Sequence, residues 1–181
     1  MKIVVIDGQG GRLGRLLIER VKARLPQAQV YALGTNSVAT AAMLKAGADF
    51  GATGENPVVR GVADADGVLG PVGIVVADAI LGEVTPAMAK AVGSCRAKKF
   101  LVPMNSCGVV VAGVEELPMP DYAARAVDCL AEELGKRYRY TAAVSTTAGR
   151  CAAVMPSGAE KAPRAGRQAV FREISKKFSH S

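Results

Sequence analysis

The sequence predicts a small three-layer α/β domain with a mostly parallel sheet, followed by a basic C-terminal tail that reads as disordered. Three observations carry this expectation. A continuous apolar run, Ile3-Val4-Val5-Ile6, passes through a glycine-rich turn directly into helically spaced leucines. Strand and helix patterns alternate as β-α-β-α by Gly47, which argues for parallel strands with right-handed crossovers. Finally, 50% of the residues are hydrophobic, yet the chain has only four Tyr, four Phe and no Trp, so its core must be built from Val, Ala, Leu and Ile. That composition suits a sheet buried on both faces under alanine-rich helices.

The elements follow in order. Ile3 to Ile6 lacks alternation, as expected of a strand covered on both sides, and it stops at Asp7-Gly8. Leu13, Leu16, Leu17, Val21 and Leu25 then fall at helical spacing, and Pro26 ends the pattern. Val30 to Leu33 is the second strand. After Gly34-Thr35-Asn36-Ser37, Asn36 or Ser37 can cap a helix running to about Lys45 and closing at Gly47. Gly51 to Pro57 reads mostly as loop, with Asn56-Pro57 fitting the start of a short helix.

Asp66 to Gly70 is a further strand, closed by Gly70-Pro71-Val72-Gly73, and Ile74 to Leu81 fits strand or helix equally well. Thr85-Pro86 opens a helix through about Arg96, with Thr85 as cap. Lys99 to Pro103 and Val109 to Val114 read as two strands joined by the turn residues Asn105, Ser106 and Gly108, a hairpin arrangement. A last helix spans about Asp121 to Leu134 and ends at Gly135. The domain is therefore drawn as residues 1–135 and the tail as residues 136–181, where a short basic helix is drawn at Val170 to Phe178.

The net charge of +7 resembles a nucleic-acid signal until it is divided. Residues 1–135 carry 13 Lys and Arg against 14 Asp and Glu, whereas residues 136–181 carry 10 against 2. A nearly neutral domain lacks the footprint that phosphate-backbone binding needs, so nucleic acid is expected only through the tail. The four cysteines, Cys95, Cys107, Cys129 and Cys151, show no CxxC pair or zinc-ligand spacing, which suits reduced thiols in the cytoplasm. The segment Gly67 to Leu81 is broken by Pro71 and Asp78 and falls short of the roughly 20 residues a membrane-spanning helix needs.

The chemistry concentrates in Gly8-Gln9-Gly10-Gly11-Arg12-Leu13-Gly14. A strand, a glycine turn and a helix in that order bring backbone N–H groups and the positive helix end to one point, where a phosphate can sit. Gly8, Gly11 and Gly14 give GxxGxxG, a variant of the stricter GxGxxG, and no Gly-Lys-Ser/Thr closes the loop as a Walker A motif would. Dinucleotide sites usually carry Asp or Glu at the end of the second strand for the ribose hydroxyls. Here that place holds Gly34, Thr35, Asn36 and Ser37. Arg12 could instead meet a 2′-phosphate, with Asn36 or Ser37 hydrogen-bonding it, so the residues favour NADP over NAD among nucleotides.

In an open α/β sheet ligands lie beyond the carboxyl ends of the strands. The expected cofactor-binding set is therefore Gly8, Gly10, Gly11, Arg12, Leu13 and Gly14, with Thr35, Asn36 and Ser37, with Gly70, Pro71 and Gly73, and with Asn105. Thr53 to Asn56 joins them if a strand precedes. No catalytic residue stands out: the one histidine is His180 in the tail, and the carboxylates in play are Asp7, Glu55, Asp78 and Glu83. Asp7 is better suited to cap the loop than to move a proton. Asp78 in apolar surroundings would have its carboxyl pushed up by desolvation, unless it lies on a helix surface. Cys107, beside Asn105, is a thiol at the crevice or a buried turn cysteine.

Gly11-Arg12-Leu13-Gly14-Arg15 resembles the glycine loops of dihydrodipicolinate reductases and prephenate dehydrogenases, over the first βα unit alone. Taken together, MKIVVIDGQGGRLG, ALGTNSVATAAMLKAGAD, GATGENPVV, GPVGIVVADAILGEVTPAMAKAVG and the PMN-x-C strand are similar to a bacterial family defined as domain of unknown function 3842. The resemblance implies a small single-domain protein over about residues 1–115 and brings no catalytic residues with it. The family's pattern does not extend past about residue 136.

These readings converge on a Rossmann-like nucleotide-binding protein holding a phosphate of NADP or another nucleotide. The alternatives are an NAD(P)-dependent reductase whose active site forms at a dimer interface, and a regulatory or structural partner protein working through the tail. The apolar stretch Ile74 to Leu81 and the alanine-rich face Ala87 to Val92 offer surface for a homodimer.

Overall fold

The computed structural model describes the backbone of residues 1–104 and 109–152, and side chains within these up to residue 136. Residues Met1–Thr141 form one compact unit, and Ala142–Ser181 are a second. The first unit is built on a five-stranded, all-parallel sheet in the order β3-β2-β1-β4-β5. Its strands are β1 (Lys2–Asp7), β2 (Gln29–Gly34), β3 (Phe50–Thr53), β4 (Gly67–Pro71) and β5 (Lys98–Val102). The helices are α1 (Arg12–Arg24), α2 (Ser37–Lys45), α3 (Glu55–Gly61), α4 (Pro86–Ser94) and α5 (Met119–Ala152), with a 3-10 turn at Val72–Val75.

Period-two alternation along β1 divides the core. Ile3 and Val5 meet Leu17, Ile18 and Val21 of α1, Met43 of α2, and Val127, Leu130 and Leu134 of α5 on one face. Val4 and Ile6 meet Val58 of α3, Ile74, and Met88 and Val92 of α4 on the other. Each such side chain, fully buried, contributes roughly 1.5–3 kcal/mol. Because β1 has helices on both faces, its sequence can be apolar at every position, which explains the unalternating run. The same alternation turns Asp7 toward the α1 face. The chain winds outward from β1 to β2 and β3, then reverses to β4 and β5, so β1 and β4 flank the switch point at which open α/β sheets bind their ligands.

The capping chemistry is as expected at two helices. Asn36 caps α2, its side-chain oxygen accepting from the Ala39 amide at 2.9 Å. Thr85 caps α4 by accepting from Met88 N–H at 3.2 Å, with Pro86 as the first helical residue, and its hydroxyl also donates to Glu55 Oε2 at 2.5 Å. Replacing Thr85 by Ala is expected to lower stability by about 1 kcal/mol, read as a shifted denaturation midpoint with an unchanged slope.

Several expectations are corrected. Phe50–Thr53 is a strand rather than loop, pairing in register with Tyr31 to Gly34. Helix α3 begins at Glu55 with Gly54 before it, so Asn56 is inside the helix and does not cap it. Ile74 to Leu81 is neither strand nor helix: the 3-10 turn gives way to tight turns in which Asp78, Ile80 and Leu81 take left-handed φ of 61°, 56° and 56°. Asp78 is exposed on such a turn, not in apolar surroundings. Residues 109–118 form no strand, so the hairpin with β5 is absent; β5 instead pairs parallel to β4. Helix α5 starts at Met119 and continues through Gly135, which is therefore not its end.

The apolar surface expected to form a homodimer is largely inside the domain. Ile74, Ala79, Ile80, Val84, Met88, Ala89 and Val92 are buried, and Leu81 is the large side chain left out, 93% exposed. Asn105, Cys107, Cys151, His180 and the helix drawn at Val170 to Phe178 lie outside the residues whose side chains are described. Among the described residues no helix is long and apolar enough to cross a membrane, and no His, Cys, Asp and Glu cluster has metal-ligand geometry.

Candidate functional site: a glycine loop at the switch point

The loop after β1 is shaped by its own residues. Gln9 adopts φ 49° and Gly11 φ 67°, and the Gly11 amide donates to Gly8 O at 3.0 Å, closing a tight turn that leads into α1. Gly11 has no side chain with which to cap the helix. Asp7 does that work from the end of β1: Oδ2 accepts from Gly14 N–H at 2.6 Å and Oδ1 from Gly8 N–H at 2.9 Å. Asp7 is only 6% exposed. Burial pushes the pKa of its carboxyl up, and the nearby Glu83 charge adds to this against the lowering effect of the Gly14, Gly8 and Leu13 amides.

The four loop glycines are glycine for different reasons. A Cβ at Gly8 would come within 2.7 Å of both Glu83 Oε2 and Thr35 Oγ1. At Gly11 it would lie 2.8 Å from the Ala39 Cα, where α1 and α2 approach closely; at Gly14 it would collide with Met43 Sδ at 2.5 Å and Asp7 Cβ at 2.8 Å. At Gly10 it would meet nothing within 4 Å, and the residue is exposed. Three glycines are thus required by packing, and Gly10 is not.

On this loop opens a cavity of about 180 Å³, lined by Asp7 to Leu13, Pro71, Ile80, Met104 and Met119. Among the described residues neither the Gly10 nor the Arg12 amide has a protein partner. The Arg12 side chain is exposed at the lining. Two larger depressions, about 340 and 290 Å³, lie between β5 and the start of α5, and their walls are mostly apolar, including Pro103, Leu117, Met119 and Phe100. They lack the convergent polar groups of the loop.

Of the expected site residues, Gly8, Gly10, Gly11, Arg12, Leu13 and Pro71 line the cavity, while Gly14 is buried beneath it against Met43. Gly70 and Gly73 are buried, Gly70 tight against the Ile6 carbonyl. Thr35 and Asn36 are not among the residues lining the cavity: both donate to Glu83, Asn36 Nδ2 at 2.9 Å. Ser37 is the first residue of α2. Thr53 is engaged with Thr40, their hydroxyls 2.7 Å apart.

The reading that no carboxylate stands at the end of β2 is corrected. Glu83 arrives there from the turns between β4 and α4, and Oε2 accepts from Gln9 N–H at 3.0 Å as well as from Thr35 and Asn36. Burial alone would raise its pKa, but the hydrogen bonds from Thr35, Gln9 and Asn36 outweigh it and hold it below the ordinary glutamate range. The acid is 74 residues from the amide it binds, so spacing after β2 could not reveal it. Ile80, Met104 and Met119 were likewise out of reach, being brought to the loop by tertiary packing.

These features define a doubly wound α/β domain with a glycine loop, and a cavity upon it, at the switch point of its sheet. The chain belongs to the family described as domain of unknown function DUF3842, whose model matches residues 2–135. No curated protein matches it. Among solved structures it is similar to a dodecameric FMN-dependent UbiX-like decarboxylase from Escherichia coli O157:H7, at 16% identity and a TM-score of 0.43, covering 75% of this chain and 95% of that one.

Proposed function

We propose that this protein binds the phosphate or pyrophosphate of a nucleotide on the loop Gly8 to Gly14. The observation that carries the reading is Gly10, whose missing side chain serves no packing purpose and leaves the cavity wall as bare backbone. Close approach of a ligand to the main chain is the remaining reason for glycine at such a position. The Gly10 and Arg12 amides, the positive end of α1 and the Arg12 guanidinium supply the complementary charge and donors. The cavity of about 180 Å³ is smaller than the roughly 300–1,000 Å³ that drug-sized ligands fill. It suits the phosphate end, with the rest of the ligand lying across the carboxyl ends of the strands.

A ligand that binds the folded chain raises its melting temperature by mass action, worth about 2.7 kcal/mol at a hundredfold excess over Kd. Titration of the full chain with NADP, NAD, ATP, FAD and coenzyme A should therefore shift the melt with at least one. A folded protein whose melt moves with none of them would defeat the reading.

A further inference from the structure

We propose that Glu83 is the ribose-recognising residue of this site, selecting a nucleotide with an unmodified 2′-hydroxyl over one that carries a 2′-phosphate. This rests on the phosphate-cradle reading above and concerns the same ligand. Glu83 stands beyond Gly34 at the end of β2 and against the second residue of the glycine loop, beside the place where a ribose lies when its phosphate sits on the loop. The chain places no acid there from β2 itself and brings one from another crossover.

Glu83 is held firmly. Three donors, from Gln9, Thr35 and Asn36, converge on Oε2, and no hydrogen bond is made by Oε1 to a described residue. An ionised carboxylate only accepts, so the ligand group facing it must donate, as sugar hydroxyls do and a phosphate does not. Of the groups near the end of β2 that could have welcomed a 2′-phosphate, the Thr35 hydroxyl and the Asn36 amide are already spent on Glu83. A second negative charge beside Glu83 would be repelled by it, while the Arg12 guanidinium serves the phosphate on the loop.

The approach of Glu83 also has visible structural consequences. Asp78, Ile80 and Leu81 hold left-handed conformations that L side chains rarely adopt, and Gly82 adds φ 85°. The turns are closed by Glu83 N–H to Ile80 O at 3.2 Å and Val84 N–H to Ala79 O at 3.1 Å. They deliver Ile80 to the cavity wall and Glu83 to the loop together. Gly8 must lack a side chain for that carboxylate to reach its place.

The test is calorimetric titration of the full chain and its Glu83→Gln variant with two ligand pairs: NAD and NADP, and 5′-AMP and adenosine 2′,5′-bisphosphate. The wild type should prefer the member without the 2′-phosphate roughly tenfold or more in each pair that binds, as expected when a charged acceptor is paired or opposed. In Glu83→Gln that preference should shrink to within about threefold, chiefly by weaker binding of the unmodified ligand. Wild-type preference for the 2′-phosphorylated member overturns the inference whether or not the variant folds. So does a folded variant that keeps the full preference. Binding of both members alike by the wild type leaves the cradle standing and removes the role of Glu83; binding of no member of either pair also removes that role, and the cradle itself then stands or falls with the melting shifts described above.

Discussion

Gly11→Ala is expected to lose about 2–4 kcal/mol of stability, whereas Gly10→Ala, one residue away, stays within about 1 kcal/mol of wild type. The contrast follows from geometry. At Gly11 a side chain enters a left-handed conformation, φ 67°, and its Cβ lies 2.8 Å from Ala39 Cα and 2.9 Å from Ala39 O. Both neighbours are backbone of α2, so relief requires moving one helix against another. Left-handed strain of about 1–2 kcal/mol and overpacking of about 1–3 kcal/mol act together. At Gly10 the added methyl finds open space, and the reduced freedom of the unfolded chain offsets much of any local change.

The two variants should separate again in ligand binding. Gly10→Ala puts a methyl on the wall that the phosphate approaches, so the folded variant should lose the melting shift that nucleotide gives the wild type. Chemical denaturation reads the first contrast and thermal-shift titration the second. Equal destabilisation at the two positions would contradict the packing account, and an undiminished nucleotide shift in Gly10→Ala would remove the main support for the cradle.

The legible part of this fold is the part encoded locally. Ile3 to Ile6, the leucines of α1, the Asn36 cap and the Thr85-Pro86 start each follow from neighbours in sequence, and together they fix the parallel sheet and the glycine loop at its centre. What escaped was decided by contacts distant in the chain. The strand at Phe50–Thr53 has no strong apolar pattern because it is an edge strand, with Phe50 48% exposed. The turns from Asp78 to Gly82 place Ile80 and Leu81 at positive φ, where branched and bulky residues are unexpected. Gly135 reads as a stop but lies within α5. The acid at the end of β2 was absent from every local window because it comes from Glu83, across the switch point.

Asp7→Ala should be the second severe variant, at about 2–4 kcal/mol, because it deprives the buried Gly8 and Gly14 amides of their acceptor, each worth about 1–3 kcal/mol when left unsatisfied. The pH dependence separates this residue from the other carboxylates. Asp49 and Glu133 are held below their ordinary values, chiefly by hydrogen bonds from Lys22 and from Lys98 respectively. Groups of that kind favour the fold above the ordinary carboxylate range and lose their contribution as pH falls. Asp7 runs the other way, since burial raises its pKa in the folded chain. Between the ordinary aspartate value and that raised one, the folded state holds a proton that the unfolded state has released. Its contribution is therefore complete below the ordinary value and declines as pH rises through the raised one. Carbon-detected NMR titration should find one aspartate carboxyl titrating above its usual range, and Glu83→Gln should lower it in part, because burial is the chief cause of the shift and the neighbouring charge a smaller one. Titration of Asp7 below the usual range would mean that the loop amides outweigh burial, and the contribution of Asp7 to stability would then rise with pH where a decline is expected.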